Sequence, residues 1–194
     1  MKSWEAQAEL EAFFENDGWK YTKRIDEEDE NRAIYLTGIN VDRVIDSIDV
    51  QVVVSDEDVA VSAFYPVTIS EDRLTDMSEF ITRINCEYLI YAHFSLAYDL
   101  GMLMATYHFD IRGENIFSEE QAEKMVYSVL WAMDDYADDL FLVANAGVSG
   151  NEQFLKVKER EEELERRAQA GEDDDENEDG TDGKKERIKF YIKL

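Results

Sequence analysis

The chain has 194 residues, 44% of them hydrophobic, and sets 20 basic against 46 acidic side chains for a net charge of −26. Residues 1–150 alone hold 31 acidic and 10 basic side chains, so the excess belongs to the part able to fold. Such a surface excludes nucleic acid and an anionic membrane as partners, because both are gripped through Lys and Arg; a basic protein, a basic peptide or divalent cations remain.

In chain order, apolar spacing predicts a helix from Ser3 to Asp17 with Trp4, Ala8, Phe13 and Phe14, and Leu10 adjoining, toward the core, stopped by Gly18. A short strand is expected at Trp19–Thr22, an acidic turn at Asp26–Asn31 and a second strand at Ala33–Thr37, broken by Gly38. Val44–Val54 and Val59–Tyr65 then read as a hairpin. A four-residue loop pairs Val54 with Val59, Val52 with Val61 and Val50 with Ala63, all apolar pairs of the kind that stabilise sheets. Pro66, the only proline, ends the strand, and Ser70 opens a helix with the stripe Leu74, Met77, Ile81, Ile84, closed by Asn85.

The most ordered pattern runs from Glu87 to Ala146. Tyr88–Tyr98 alternates Tyr88, Ile90, Ala92, Phe94 and Leu96 on one face; Met102–Ile111 alternates Leu103, Ala105, Tyr107, Phe109 and Ile111. A two- or four-residue loop centred on Leu100-Gly101 brings the two apolar sets together. Ser118 with Gln121 marks a helix start, and Ala122 to Ala144 keep helical spacing up to Gly147. Cys86, the lone cysteine, excludes an intrachain disulfide and is expected as a buried thiol.

Beyond Gly147 the composition changes. Residues 148–170 read as a charged helix with too few apolar residues for a core stripe, hence solvent-exposed, and 171–183 as an acidic, disordered linker. Residues 184–194 form a basic amphipathic strand, with Ile188, Phe190, Ile192 and Leu194 on one side, suited to a free sheet edge. The expected organisation is an α+β domain over 1–147, in the order α-β-β-β-β-α-β-β-α with an antiparallel sheet and helices packed on it, followed by these three segments.

Ala63-Phe64-Tyr65-Pro66, the helix end Ile84-Asn85, the hairpin after it and Phe117-Ser118-Glu119-Glu120-Gln121 together resemble the YbjN family of bacterial proteins over about residues 3–146. The resemblance implies a sheet-and-helix fold similar to class I type III secretion chaperones, and a chaperone-like or regulatory role. It carries over no catalytic residue.

Two clusters invite chemistry. Asp134-Asp135-Tyr136-Ala137-Asp138-Asp139 contains an Asp-Asp-x-x-Asp pattern; on one helix Asp134 stacks over Asp138 and Asp135 over Asp139, able to hold a hard cation. The segment supplies no Arg or Lys for a diphosphate, so a solvated acidic face that binds basic partners is the preferred reading. His93 and His108, the only histidines, are expected directly opposite one another on the polar sheet face beside Tyr91 and Thr106, with Asp110 near. Two ligands from one hairpin make a weak metal site. The expectation is a non-enzymatic, protein-binding module without cofactor, binding through Asp134, Asp135, Asp138, Asp139, Tyr91, His93, His108, Ile188, Phe190 and Ile192. The alternative is a small metal-dependent enzyme using the aspartates or the histidine pair. A leader-like N-terminus and a run of the ~18 apolar residues a span needs are both missing, which points to a cytoplasmic protein. Its net charge points to a monomer or weak homodimer.

Overall fold

The computed structural model describes residues 1–41 and 45–170, and the backbone of 191–192. It is an α+β fold, an antiparallel sheet with helices packed on it. The order is α1 (Ser3–Asn16), β1 (Thr22–Ile25), β2 (Ala33–Asn40), β3 (Ser47–Val54), β4 (Asp58–Phe64), α2 (Leu74–Glu87), β5 (His93–Ala97), β6 (Met102–Asp110), α3 (Glu119–Asp135), α4 (Ala137–Asn145), α5 (Gly150–Ala170) and β7 (Tyr191–Ile192). The strands lie side by side as β1-β2-β3-β4-β6-β5.

Strict alternation fixes the sheet. Val50, Val52 and Val54 of β3 face Ala63, Val61 and Val59 of β4 in the register that their apolar pattern demands, and all six are buried. Their face continues through Tyr35 on one side and Leu103, Ala105 and Phe94 on the other, under α1 and α3. The opposite face, with Ile34, Val53, Ala60, Phe64 and Met104, stays partly exposed. α2 packs beside β5 and against α4 and α5.

Several expectations change. α1 turns Ala6, Leu10, Phe13 and Phe14 inward and leaves Trp4 and Ala8 exposed. Trp19 and Tyr21 are not strand residues; they pack on Phe14 as part of an aromatic cluster, and β1 begins only at Thr22. β2 runs through Gly38, and Val44 lies outside the described residues. Tyr88–Ala92 is not strand either, because α2 continues to Glu87 and the chain must then turn before β5. Ile90 is consequently exposed, and so is Cys86, on the outer side of the last α2 turn.

The β5–β6 connection is the four residues Tyr98–Gly101, one residue earlier than the centre expected. Parity is kept, so the two apolar sets still share a face, but every pair shifts by two: Leu96 meets Leu103, where the expected centre would have set it against Ala105. Gly101 makes this turn possible. Its φ is +59°, a Cβ there would strike the Ile69 carbonyl oxygen, and its own carbonyl accepts from the Ile69 N–H at 2.7 Å.

The single long helix expected after Ser118 is broken at Tyr136, whose buried ring meets Phe94 edge-on at 6.0 Å. The Ser118 hydroxyl accepts from the Gln121 N–H as expected, while the Gln121 side chain turns to the Tyr107 hydroxyl. The break has an electrostatic benefit. Four carboxylates at the end of one helix would oppose its macrodipole; here Asp138 and Asp139 lie in the first turn of a new helix, where negative charge is favoured.

The charged helix is not free. Phe154 and Val157 are buried in the first turns of α5, and Gly150 lets those turns seat on α2: a Cβ would strike the Asp76 carbonyl and stand 2.9 Å from the Phe80 N. β7 pairs with β2, Ile192 opposite Ile39 and Tyr191 opposite Asn40. β3 occupies the other side of β2 along its whole length, so β7 lies on the β1 side.

Candidate functional site

Tyr88–Ala92, α3, the start of α4 and the second half of α5 enclose an open groove of about 660 Å³. Three separate elements supply its floor. α3 buries its apolar stripe on the sheet, so Trp131, which is off that stripe, faces outward with Lys124 and Asp135. The turn out of α2 leaves Ile90 and Tyr91 uncovered, and Leu164 of α5 projects beyond the docked first turns. These four side chains are 85% (Ile90), 52% (Tyr91), 52% (Trp131) and 41% (Leu164) exposed, and all line the same groove. Scattered exposed apolar residues mean little; a contiguous group with a polar border marks an interaction surface.

The border is acidic. Asp134, Asp135, Asp138 and Glu161 line it, against Lys124 and Arg160. Burial, then Glu161 and Asp135, push the Tyr136 hydroxyl above its ordinary pKa. Burial, then Glu87 and Glu161, do the same at Tyr88. The carboxylates add to burial at both hydroxyls, and the same charges disfavour a further anion in the groove.

Arg160 is engaged. Its Nη1 and Nη2 each donate to Asp139 Oδ2 at 3.1 Å, and Nε approaches Glu161 Oε1 at 3.5 Å. Burial alone would lower the guanidinium pKa, but Asp139 and Glu161 together outweigh it and the net shift is upward. Asp139 also accepts from Gln153 Nε2 at 2.6 Å. Lys124 sits over the Tyr91 ring, its Nζ 3.6 Å from the centroid, and Tyr107 stacks parallel to Tyr91 at 5.9 Å.

Of the residues singled out by sequence, the groove gathers Asp134, Asp135, Asp138 and Tyr91. The stacking of Asp134 over Asp138 and Asp135 over Asp139 does not occur, because the helix breaks between them. Nor is the cluster uniformly solvated: Asp134 and Asp139 are buried, Asp139 as the anchor of α5. Missed from the sequence were Ile90, Trp131, Leu164, Lys124 and Arg160; a tryptophan on the polar side of the α3 pattern was the one available signal.

The histidines are elsewhere, on the exposed sheet face. His93 is opposite Thr106, not His108, as the shifted turn requires. The two rings still stack diagonally, 6.4 Å between centroids. His93 Nε2 lies 2.9 Å from Thr106 Oγ1, and His108 Nδ1 lies 3.6 Å from Asp58 Oδ2. Asp110 is drawn away by Arg112, whose hydrogen bonds hold its carboxyl down at about 2. Among the described residues no group of three His, Cys, Asp or Glu side chains is placed to hold a metal ion, and no helix is long and apolar enough to cross a membrane. Ile188 and Phe190 lie outside the described residues, and of Ile192 only the backbone pairing is described.

Compared with models of protein families, with curated proteins and with solved structures, the chain matches none of them.

Proposed function

We propose that this chain is a non-catalytic protein-binding module, chaperone-like or regulatory, whose groove takes a basic amphipathic segment of a partner protein. The observation that carries this reading is the coincidence of an exposed apolar floor (Ile90, Tyr91, Trp131, Leu164) with an acidic border in one concavity. Apolar contact supplies the affinity, and the carboxylates select and steer a cationic segment. The YbjN resemblance, with the type III secretion chaperone-like arrangement it implies, points the same way. The protomer is a monomer or weak homodimer in this reading, because two surfaces of this charge repel at low ionic strength.

The test is titration of the full chain against a fluorescein-labelled 14-residue amphipathic peptide of arginine and leucine. Its controls are the same peptide with citrulline for arginine and one with glutamate. Saturable binding is expected, weakened at least tenfold by citrulline, abolished by glutamate, and weakened by Trp131→Ala and by Asp135→Lys. Absence of binding, equal binding of all three peptides, or indifference to both groove variants would overturn the reading.

A further inference from the structure

Among the described residues the groove has two basic side chains, Lys124 and Arg160, and the Lys124 ammonium lies on an aromatic ring. At 3.6 Å from the Tyr91 centroid its ammonium is where a cation gains most from the negative face of the ring. The ring is half exposed and stacked parallel to Tyr107, whose hydroxyl in turn lies 3.4 Å from Gln121 Nε2. The platform is thus built and held before any partner arrives, while its occupant is a long surface lysine at the end of four rotatable bonds. A stacked ring carrying the end of a long, displaceable side chain is the arrangement of a recognition element occupied by an internal substitute.

We infer that Tyr91 is the cation-recognition element of the groove and that Lys124 occupies it in place of a partner's arginine, which displaces Lys124 on binding. The inference rests on the proposed binding function and adds what the groove reads and how it is held in check. Arginine is the fitting ligand. Its guanidinium is planar, stacks on an aromatic face and is less strongly hydrated than an ammonium, so it wins the exchange with Lys124. Released from the ring, the Lys124 ammonium is free to swing toward the acidic border, so the exchange keeps a cation on each surface.

The experiment uses the full chain and the same arginine–leucine peptide, with its citrulline and lysine counterparts. Lys124→Met removes the competing cation from the ring, so arginine peptide affinity rises roughly three- to fivefold, the factor expected of one exposed cation–π contact. Tyr91→Phe keeps the platform and keeps the preference for arginine over citrulline; Tyr91→Leu reduces that preference by a similar factor. In a Tyr91→Leu background the gain from Lys124→Met disappears. A gain persisting there would mean simple charge repulsion, and no gain in the Tyr91 background would mean no substitution by Lys124; either overturns the inference while peptide binding itself stands. Failure of the wild-type chain to bind any arginine peptide overturns both the inference and the function beneath it. Circular dichroism of each variant separates loss of fold from loss of recognition, and since both side chains are surface-exposed the variants keep the wild-type spectrum.

Discussion

The side-chain amide of Asn85 forms two hydrogen bonds with the main chain of Phe94: Nδ2 donates to the Phe94 carbonyl at 2.8 Å, and Oδ1 accepts from the Phe94 N–H at 2.7 Å. β5 is the last strand of its edge, and its outward groups at Phe94 would otherwise face solvent or another chain. The end of α2 thus supplies an amide that stands where a further strand would. The same contact fixes where the chain emerges before the groove, since Ile90 and Tyr91 lie between the two residues. Asn85→Ala is expected to cost about 1–3 kcal/mol, the range for leaving partly buried groups unpaired. Asn85→Asp is expected to cost at least as much, because it replaces the donor with an anion facing a carbonyl. Urea denaturation measures both, and a shift below about 0.3 kcal/mol for each would remove the clamp from the account. Faster amide exchange at Phe94 in either variant is the local signature.

How far the pattern could be read from sequence depends on range. The β3–β4 register followed from Val50, Val52 and Val54 alone, because a slip by one residue would turn three valines to solvent. Ile90 misled because the alternation Tyr88, Ile90, Ala92 overlaps the last turn of α2, and helical continuation through Glu87 prevailed over the period of two. Asp139 misled for another reason. Its partners Gln153 and Arg160 come from α5, across a helix break and a turn that no local periodicity announces. The groove is therefore half legible: its acid is visible in the run Asp134–Asp139, its floor only once α2, α3 and α5 converge.

Gly150 controls whether α5 docks. A methyl group there would strike the Asp76 carbonyl and crowd the Phe80 N–H, both rigid main chain of α2. Gly150→Ala is expected to push the two helices apart and cost about 1–3 kcal/mol, typical of overpacking, despite the better helix propensity of alanine. Limited proteolysis is expected to cut α5 sooner in the variant, with the groove losing its Leu164 side. A variant as stable as the wild type, with unchanged cleavage, would show that the helices separate without consequence.

Asp139 is the polar anchor of the same helix. Removing its carboxylate by Asp139→Ala leaves Gln153 and Arg160 without their partner inside the α4–α5 contact. A fully buried pair broken in this way costs several kcal/mol. Arg160 is 44% exposed, so water compensates part of the loss and about 1–3 kcal/mol is expected. Asp139→Asn keeps the shape and is expected to recover less than half. A double-mutant cycle with Arg160→Met reads the coupling directly, and additivity within about 0.3 kcal/mol would mean that the ion pair contributes nothing of its own.

The histidine pair gives the sheet face a pH dependence whose sign is fixed by geometry. The His93 Nε2 edge is sheltered against Thr106, and its neighbour across the diagonal is His108. Burial first, and His108 second, lower the His93 pKa below its ordinary 6.5. Asp58 stands on the His108 side, its Oδ2 3.6 Å from His108 Nδ1. A lowered folded-state value means that the unfolded chain binds this proton more readily. The His93 contribution to stability is therefore complete above the ordinary histidine value, is lost as pH falls through the folded value, and changes no further below it. NMR titration of the His93 ring is expected to give a midpoint under 6.5. His108→Gln removes the like charge and moves that midpoint up, without reaching 6.5 because the burial remains. Thr106→Ala opens the sheltered edge to water and moves it up as well. A wild-type midpoint at or above 6.5, or a downward move in His108→Gln, would contradict the assignment, since neither shelter nor a neighbouring imidazolium can favour the charged ring.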